Sequence, residues 1–330
     1  MINSIGVIGA GAWGTALAHA QASEGRDVTL WAREPEVCET IENNRENTLY
    51  MPGVPLHEGI KTTNSLSEIS DCDILLVVTP AQFVRSTLES IRNDSIDGKA
   101  IVICSKGIEI ETGKMLSEVA QETVPNAKIA VLTGPCFARE VALNLPTGVT
   151  IASDDKDFAQ GLCESLGTRI LRPYASTDVL GAQIGGSVKN VLAIGCGAVF
   201  GMKLGENARA ALMTRGIAEM SRLAKAMGAE KETLMGMCGF GDVMLTCSSM
   251  QSRNFSLGVM LGEGQSLQDI MAQRRSVTEG VHTAKALMNL AQANAVDMPI
   301  AETVYSCLSG DLTLEEAVVQ LLDRPFAMNS

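Results

Sequence analysis

The chain has 330 residues, 26 of them Lys or Arg and 38 Asp or Glu, which gives a formal net charge of −12. With 46% hydrophobic and 19% charged residues it carries enough apolar material for large cores, which excludes disorder over most of its length. The acidic balance argues against a general nucleic-acid binder, whose phosphate contacts need a basic surface, and the length suits two domains of about 100–200 residues each.

Up to about residue 180, short β-branched runs alternate with helical segments. The runs fall at 5–8, 27–32, 73–79, 100–104, 128–132 and 148–152, with a weaker one at 169–171. Several are almost purely apolar, such as Ile74-Leu75-Leu76-Val77-Val78, as strands are when helices cover both faces of a sheet. The alternation predicts an α/β fold with a doubly wound parallel sheet. From Gly185 the chain turns rich in Ala, Leu, Met and Gly, and strand runs cease. Helices are predicted at 207–227, with Gly228 as C-cap, and at 278–293, 300–309 and 313–322, with Asp311 a candidate start for the last. The expected division is 1–184 as a dinucleotide-binding domain and 185–330 as an all-helical substrate and catalytic domain.

The first run leads into Gly9-Ala10-Gly11-Ala12-Trp13-Gly14, a G-x-G-x-x-G between a strand and an Ala-rich helix expected at 15–23. Gly9 permits the tight turn, Gly11 lets the backbone approach a pyrophosphate, and Gly14 allows close helix–strand packing. The phosphates would rest on free N–H groups at the positive end of the helix. This context makes the sheet Rossmann-type; the plain alternative is a merely tight turn. The second run ends Leu30-Trp31-Ala32-Arg33-Glu34. Arg33 can pair with a 2′-phosphate, so NADP is the expected cofactor, while Glu34 leaves NAD open.

Ligands of open α/β sheets lie at the carboxyl ends of the strands. There the sequence offers Thr79-Pro80-Ala81-Gln82, Ser105-Lys106-Gly107, and Thr133-Gly134-Pro135-Cys136-Phe137-Ala138. Lys106 is a lone cation suited to a cofactor phosphate or an anionic substrate, or else a surface lysine at a turn. Gly134 and Pro135 shape a loop that can turn N–H groups to a ligand. Cys136 has no adjacent His to activate it and reads equally as a small packing residue.

Gly185-Gly186-Ser187-Val188-Lys189-Asn190 is expected to open an apolar helix. Partial burial there lowers a lysine's pKa and makes Lys189 a candidate acid–base group; the alternative is a snorkelling lysine. Of the polar stretch from Gly239-Phe240-Gly241-Asp242 to Asn254, Ser252-Arg253-Asn254 can donate several bonds to one phosphate and Asp242 can orient Lys189 or bind a substrate hydroxyl; the alternative is a polar interhelical loop.

Nine cysteines without a C-x-x-C pair read as reduced thiols of a cytoplasmic protein, and three scattered histidines give no metal site. The N-terminal apolar run is broken by Gly6, Gly9, Gly11 and Gly14 and has no basic leader. The later run 191–202 holds three glycines and falls short of the roughly 20 residues of a membrane span, so no membrane association is expected.

Along essentially its whole length the chain resembles the bacterial NAD(P)-dependent glycerol-3-phosphate dehydrogenases. The resemblance rests on residues 9–18, Cys104-Ser105-Lys106-Gly107-Ile108-Glu109, Gly185 to Asn190, Gly239 to Asp242, 246–254 and Thr278-Glu279-Gly280. It extends to 47–53, with Tyr50, Pro52 and Gly53, and to Met298-Pro299-Ile300. It implies that Lys189 is the catalytic acid/base. It implies substrate contacts from Lys106, Gly134, Cys136, Lys189, Asp242, Ser252, Arg253 and Asn254. It implies cofactor contacts from Trp13, Arg33, Lys106, Ala138, Arg253, Val277 and Glu279, beside Gly9, Gly11, Ala12 and Gly14 of the turn. Ala12 stands where the family often has Ser, and Cys136 where it usually has Ser or Thr; a thiol is the weaker donor. The resemblance further implies a homodimer through the helical domain, a small phosphorylated substrate, and a product that feeds phospholipid synthesis. The expected reaction reduces dihydroxyacetone phosphate at C2, with Lys189 delivering the proton, Lys106 adding positive field, and Arg253 and Asn254 on the phosphate. The rivals are a β-hydroxyacid dehydrogenase or ketopantoate-type reductase acting on a non-phosphorylated substrate, and a non-catalytic NAD(P)H sensor.

Overall fold

The computed structural model describes residues 4–274 and 278–324. Eight strands, β1 (Ser4–Ile8), β2 (Asp27–Trp31), β3 (Ile60–Thr63), β4 (Ile74–Val77), β5 (Ala100–Ile103), β6 (Lys128–Thr133), β7 (Thr147–Ala152) and β8 (Leu171–Ser176), form one sheet. Their order is β3-β2-β1-β4-β5-β6-β7-β8. Around it lie α1 (Ala12–Ala22), α2 (Pro35–Asn44), α3 (Leu66–Ile69), α4 (Val84–Ile91), α5 (Leu116–Thr123), α6 (Ala138–Ala142) and α7 (Lys156–Leu166). The helical part comprises α8 (Val179–Gly201), α9 (Glu206–Ala226), α10 (Lys231–Leu234), α11 (Asp242–Thr246), α12 (Arg253–Gly262), α13 (Leu267–Gln273), α14 (Glu279–Ala293), α15 (Pro299–Ser309) and α16 (Leu314–Leu322).

The strands through β6 are parallel, and the buried runs Ile74–Val77 and Ala100–Ile103 sit at the sheet centre with cores on both faces. The order reverses between β1 and β4, so a crevice opens at their carboxyl ends. Two details depart from the sequence reading. The sheet is not wholly parallel: β7 pairs with β6 antiparallel, and β8 follows β7. Between β6 and β7 the only helix is α6, about 7.5 Å long at 1.5 Å per residue, too short to return the chain along a strand of roughly 20 Å. In addition, β3 is a four-residue edge strand, Ile-Lys-Thr-Thr, with no apolar run to announce it.

The helix expected to open at Gly185 begins instead at Val179, capped by Asp178, whose carboxylate accepts the Gly181 N–H at 2.8 Å. A division at 184/185 therefore cuts through α8. The two glycines serve close approach rather than a helix start. A Cβ at Gly185 would lie 2.3 Å from the Cys238 carbonyl oxygen, and one at Gly186 2.7 Å from Thr133 Oγ1 at the end of β6. Farther along, α8 and α12 touch backbone to backbone: a Cβ at Gly197 or Gly258 would stand 2.0 Å from a carbonyl oxygen of the other helix. Among the described residues α8 is long and apolar enough to cross a membrane, but it lies almost wholly inside the protein as a core helix. The last helix starts at Thr313, not Asp311, through a reciprocal Thr313–Glu316 capping box.

Candidate active site

At the crevice, Gly9 takes φ 118, and a Cβ there would press on the Val78–Thr79 backbone at 3.0–3.1 Å. A Cβ on Gly14 would stand 1.9 Å from the Gly9 carbonyl oxygen, so α1 can leave the turn only from a glycine. Gly11, the N-cap of α1, faces open space and places no side-chain cap on the helix N–H groups. Asn47, fully buried, stiffens the turn by donating to Ala10 O at 2.9 Å and to Thr15 Oγ1 at 2.8 Å. Ala12 and Trp13 of α1, with Cys136 and Ala138, pack against the small core that includes Ala16, Ala20 and Met51. The Nε1 of Trp13 and the Oε2 of Glu279 are buried without a partner among the described residues. Open space before Gly11, an uncapped positive helix end and these orphaned atoms fit a bound dinucleotide.

Arg33 lies two residues past β2, exposed and paired with Glu34 at 2.9 Å. Tyr50 Oη donates to the same Glu34 oxygen at 3.4 Å. Val277 lies outside the described residues.

Lys106 and Lys189 meet on one carboxylate. Lys189 is 5% exposed and Asp242, the first residue of α11, is 0% exposed. The Lys189 ammonium donates to Asp242 Oδ1 and, at 2.9 Å, to Thr246 Oγ1. Thr246 in turn donates to Asp242 Oδ1 at 3.1 Å. Lys106, at the exit of β5, donates to Asp242 Oδ2 at 2.8 Å and to Gly134 O at 3.0 Å. An ammonium has three donors; each lysine spends two on described residues and keeps one.

Burial lowers the Lys189 pKa to about 8, against the attraction of Asp242 and with the repulsion of Lys106. Burial also works against the charge on Lys106, but Asp242 outweighs it and holds that ammonium above the usual lysine value. The Cys136 thiol, half-buried beside this cluster, is pushed up by burial and donates to Gly134 O at 3.3 Å.

The Ser-Arg-Asn run is divided in its tasks. Ser252 caps α12 by accepting the Phe255 N–H at 3.2 Å. Asn254 bolts three helices together, donating to Asn190 Oδ1 and accepting from Gly280 N, both at 2.9 Å. The Arg253 guanidinium makes no hydrogen bond to a described residue; desolvation lowers its pKa and nearby Glu279 opposes the change. Glu279 is pushed up to about 7 by burial, against the Ala81 N–H and Arg253.

Thr246, Asn190 and Asn47 were not singled out as site residues by the sequence. Thr246 stands four residues after Asp242, the spacing of one helix face, and that signal alone was readable.

Two family models match the chain. One, for the NAD-dependent glycerol-3-phosphate dehydrogenase N-terminus, covers residues 4–159; the other, for the C-terminus of the same enzymes, covers 178–319. The NAD(P)+ glycerol-3-phosphate dehydrogenase of Parvibaculum lavamentivorans is 52% identical over 322 residues, 98% of this chain and 97% of that one. That of Rhodospirillum rubrum is 53% identical over 326 residues, 98% of this chain and 93% of that one. The crystal structure of glycerol-3-phosphate dehydrogenase from Coxiella burnetii superposes with a TM-score of 0.93 at 37% identity, covering 98% of this chain and 99% of that one. A ketopantoate reductase from Ralstonia eutropha, 14% identical with a TM-score of 0.60 over 93% of this chain and 97% of its own, shares the fold alone.

Proposed function

Since the chain belongs to the NAD(P)-dependent glycerol-3-phosphate dehydrogenases, we propose that Lys189 is the group that exchanges a proton with its substrate. The enzyme interconverts dihydroxyacetone phosphate and sn-glycerol 3-phosphate with NAD(P)H. The observation that carries the assignment is the pair of lysines on Asp242, each with one donor unspent.

The turn of Gly9, Gly11 and Gly14, with Ala12, Trp13, Arg33, Ala138 and Glu279, holds the dinucleotide. When bound, the reduced nicotinamide supplies the hydride that reduces the C2 carbonyl. Lys189 directs its remaining N–H to the C2 oxygen and gives up that proton as charge develops there; in the reverse direction it takes the hydroxyl proton. A pKa of about 8 suits both, because the amine loses and regains its proton close to neutral pH. Asp242 and Thr246 hold the Lys189 nitrogen, and Lys106 adds a second positive charge at the developing alkoxide. Arg253, at the start of α12 and without a hydrogen bond from its guanidinium to a described residue, takes the phosphate, assisted by the second N–H of Asn254 and the Ser252 hydroxyl. Gly134, whose carbonyl accepts from both Lys106 and Cys136, borders the same group of side chains.

Several finer features belong to this reading. The lobe ending at β8 binds cofactor, and the lobe from α8 onward binds substrate. Arg33 at the end of β2 supports a preference for NADP. Nine free thiols support a cytoplasmic location. A homodimer through the helical lobe and a product used for phospholipid synthesis accord with the family.

The test is Lys189→Met, followed by NADPH oxidation on adding dihydroxyacetone phosphate. General acid–base catalysis contributes about 10²–10⁴-fold, so kcat falls by at least roughly 10² while NADPH binding persists. Near-normal turnover in a folded variant defeats the assignment.

A further inference from the structure

The loop that carries Lys106 leaves β5 and closes on itself before α5 through an Ile108–Met115 bridge, and residues 107–110 of it are held by one short segment of the sheet lobe. That segment, residues 81–85, comprises the single 3₁₀ turn after β4 (Ala81–Phe83) and the first two residues of α4, Val84 and Arg85. Gly107 takes φ 153 and packs so close to Ala81 that a Cβ there would stand 2.7 Å from the Ala81 Cβ. Gln82 then behaves like a strip of backbone: its Nε2 donates to Ile108 O and its Oε1 accepts from Ile110 N, both at 2.9 Å. Arg85 closes a two-pronged bond on Glu109, with Nε and Nη2 each 2.9 Å from a carboxylate oxygen. Glu109 is 6% exposed, so its charge depends on that guanidinium. From the other lobe, Ser187 on α8 donates to Gly107 O at 3.1 Å, two residues before Lys189.

We propose that Gln82 and Arg85 are positioning residues, which hold the Lys106 ammonium on Asp242 through the Ile108 and Ile110 backbone and the Glu109 carboxylate. Neither side chain is bonded to the residues assigned to substrate. Their effect passes through the shared carboxylate: with Lys106 in place, Asp242 divides its charge between two ammoniums. A slackened loop withdraws Lys106 and leaves that charge to Lys189 alone, which then holds its proton more tightly. The groups facing Lys189 are Asp242 and Cys247 from α11 and its end, Lys106 from the loop after β5, and Cys136 from the loop after β6. Of these, the segment 81–85 acts on Lys106.

The inference rests on Lys189 as the proton donor. The test is the pH profile of dihydroxyacetone phosphate reduction in the full-length enzyme, with Tm measured in parallel, for Gln82→Met and Arg85→Lys. Gln82→Met keeps the length of the side chain and loses both bonds; Arg85→Lys keeps the charge against Glu109 and loses the fork. Expected are a kcat lower by about tenfold to a hundredfold, the scale of a misplaced catalytic group, and an alkaline limb moved up by about half a pH unit or more. A limb that stays in place overturns the proposal, whatever happens to kcat or Tm, because a merely structural role predicts that result. Should Gln82→Met fail to fold, Arg85→Lys decides alone. A wild-type enzyme with no limb near pH 8 sinks the Lys189 assignment itself, a failure visible before any variant is compared.

Discussion

Asp242→Asn removes the one negative charge that the buried Lys189 and the partly buried Lys106 share while keeping the shape of the side chain. Its effect on Lys189 has a definite sign. Burial and Lys106 both push that pKa down, and the attraction of Asp242 is what holds it at about 8. An opposite charge in direct contact moves a pKa by about 1–3, so without it Lys189 titrates in the range of about 5–7. With Lys189 as the proposed donor, reduction of dihydroxyacetone phosphate needs the protonated amine. In the wild type kcat for reduction therefore declines above pH 8 or so, and oxidation of glycerol 3-phosphate gains over the same interval. In Asp242→Asn both limbs move to lower pH, and at pH 8 reduction has lost most of its proton donor. Removing one partner of a buried ion pair typically costs about 3–5 kcal/mol, so Tm drops as well. The assay is NADPH oxidation from pH 5 to pH 9 on protein shown to be folded by circular dichroism, with a second series in the oxidation direction. A reduction limb that remains near pH 8, or moves upward, refutes the electrostatic account of the site.

The glycine turn separates binding from folding. Gly11→Ala projects a methyl group into open space and leaves the fold intact, but it weakens NADPH binding by about tenfold, 1.4 kcal/mol, in a fluorescence titration. Gly14→Ala drives a methyl group to within 1.9 Å of the Gly9 carbonyl and lowers Tm, as overpacking of about 1–3 kcal/mol does. If the two variants behave alike, the two glycines do not have separate tasks. Arg253→Ala raises KM for dihydroxyacetone phosphate by at least about tenfold, the smaller end of a charge-assisted contact, and an unchanged KM removes it from the phosphate site.

What the sequence discloses is what short stretches of chain decide by themselves. Ile5–Ile8, the glycines and the Ala-rich helix make a complete local unit, so strand, turn and helix were readable together. The burial of Lys189 was also readable, because Val188, Val191 and Leu192 surround it on its own helix. The role of Asp242 was open until the fold was known: residues 106, 189 and 242 are far apart in the chain, and only the packing of β5, α8 and α11 brings them to one point. The same distance hid the tasks of Asn190 and Asn254, whose mutual hydrogen bond ties α8 to α12. Gly185 and Gly186 misled for a related reason. Glycine lowers helix propensity by about 1 kcal/mol, and on that scale two in succession read as a boundary. The close approach of Cys238 and Thr133 requires them, and tertiary contact overrides propensity.

The chemistry of the site follows from the same assembly. No single element gives an amine that titrates near neutral pH. Alone in the core of α8, Lys189 would lose its proton too readily, because burial disfavours the charge with nothing opposite it. Beside Asp242 alone it would hold the proton too firmly for a donor. Lys106 arrives from the sheet and takes up the second carboxylate oxygen, and the balance of all three leaves the amine at about 8. Because Lys106 comes from the sheet side and Asp242 from the helical side, the balance of charge on Lys189 is set only where the two sides touch. The paired glycines of α8 allow that contact where Thr133 of β6 and the Cys238–Gly239 backbone press against the helix carrying Lys189.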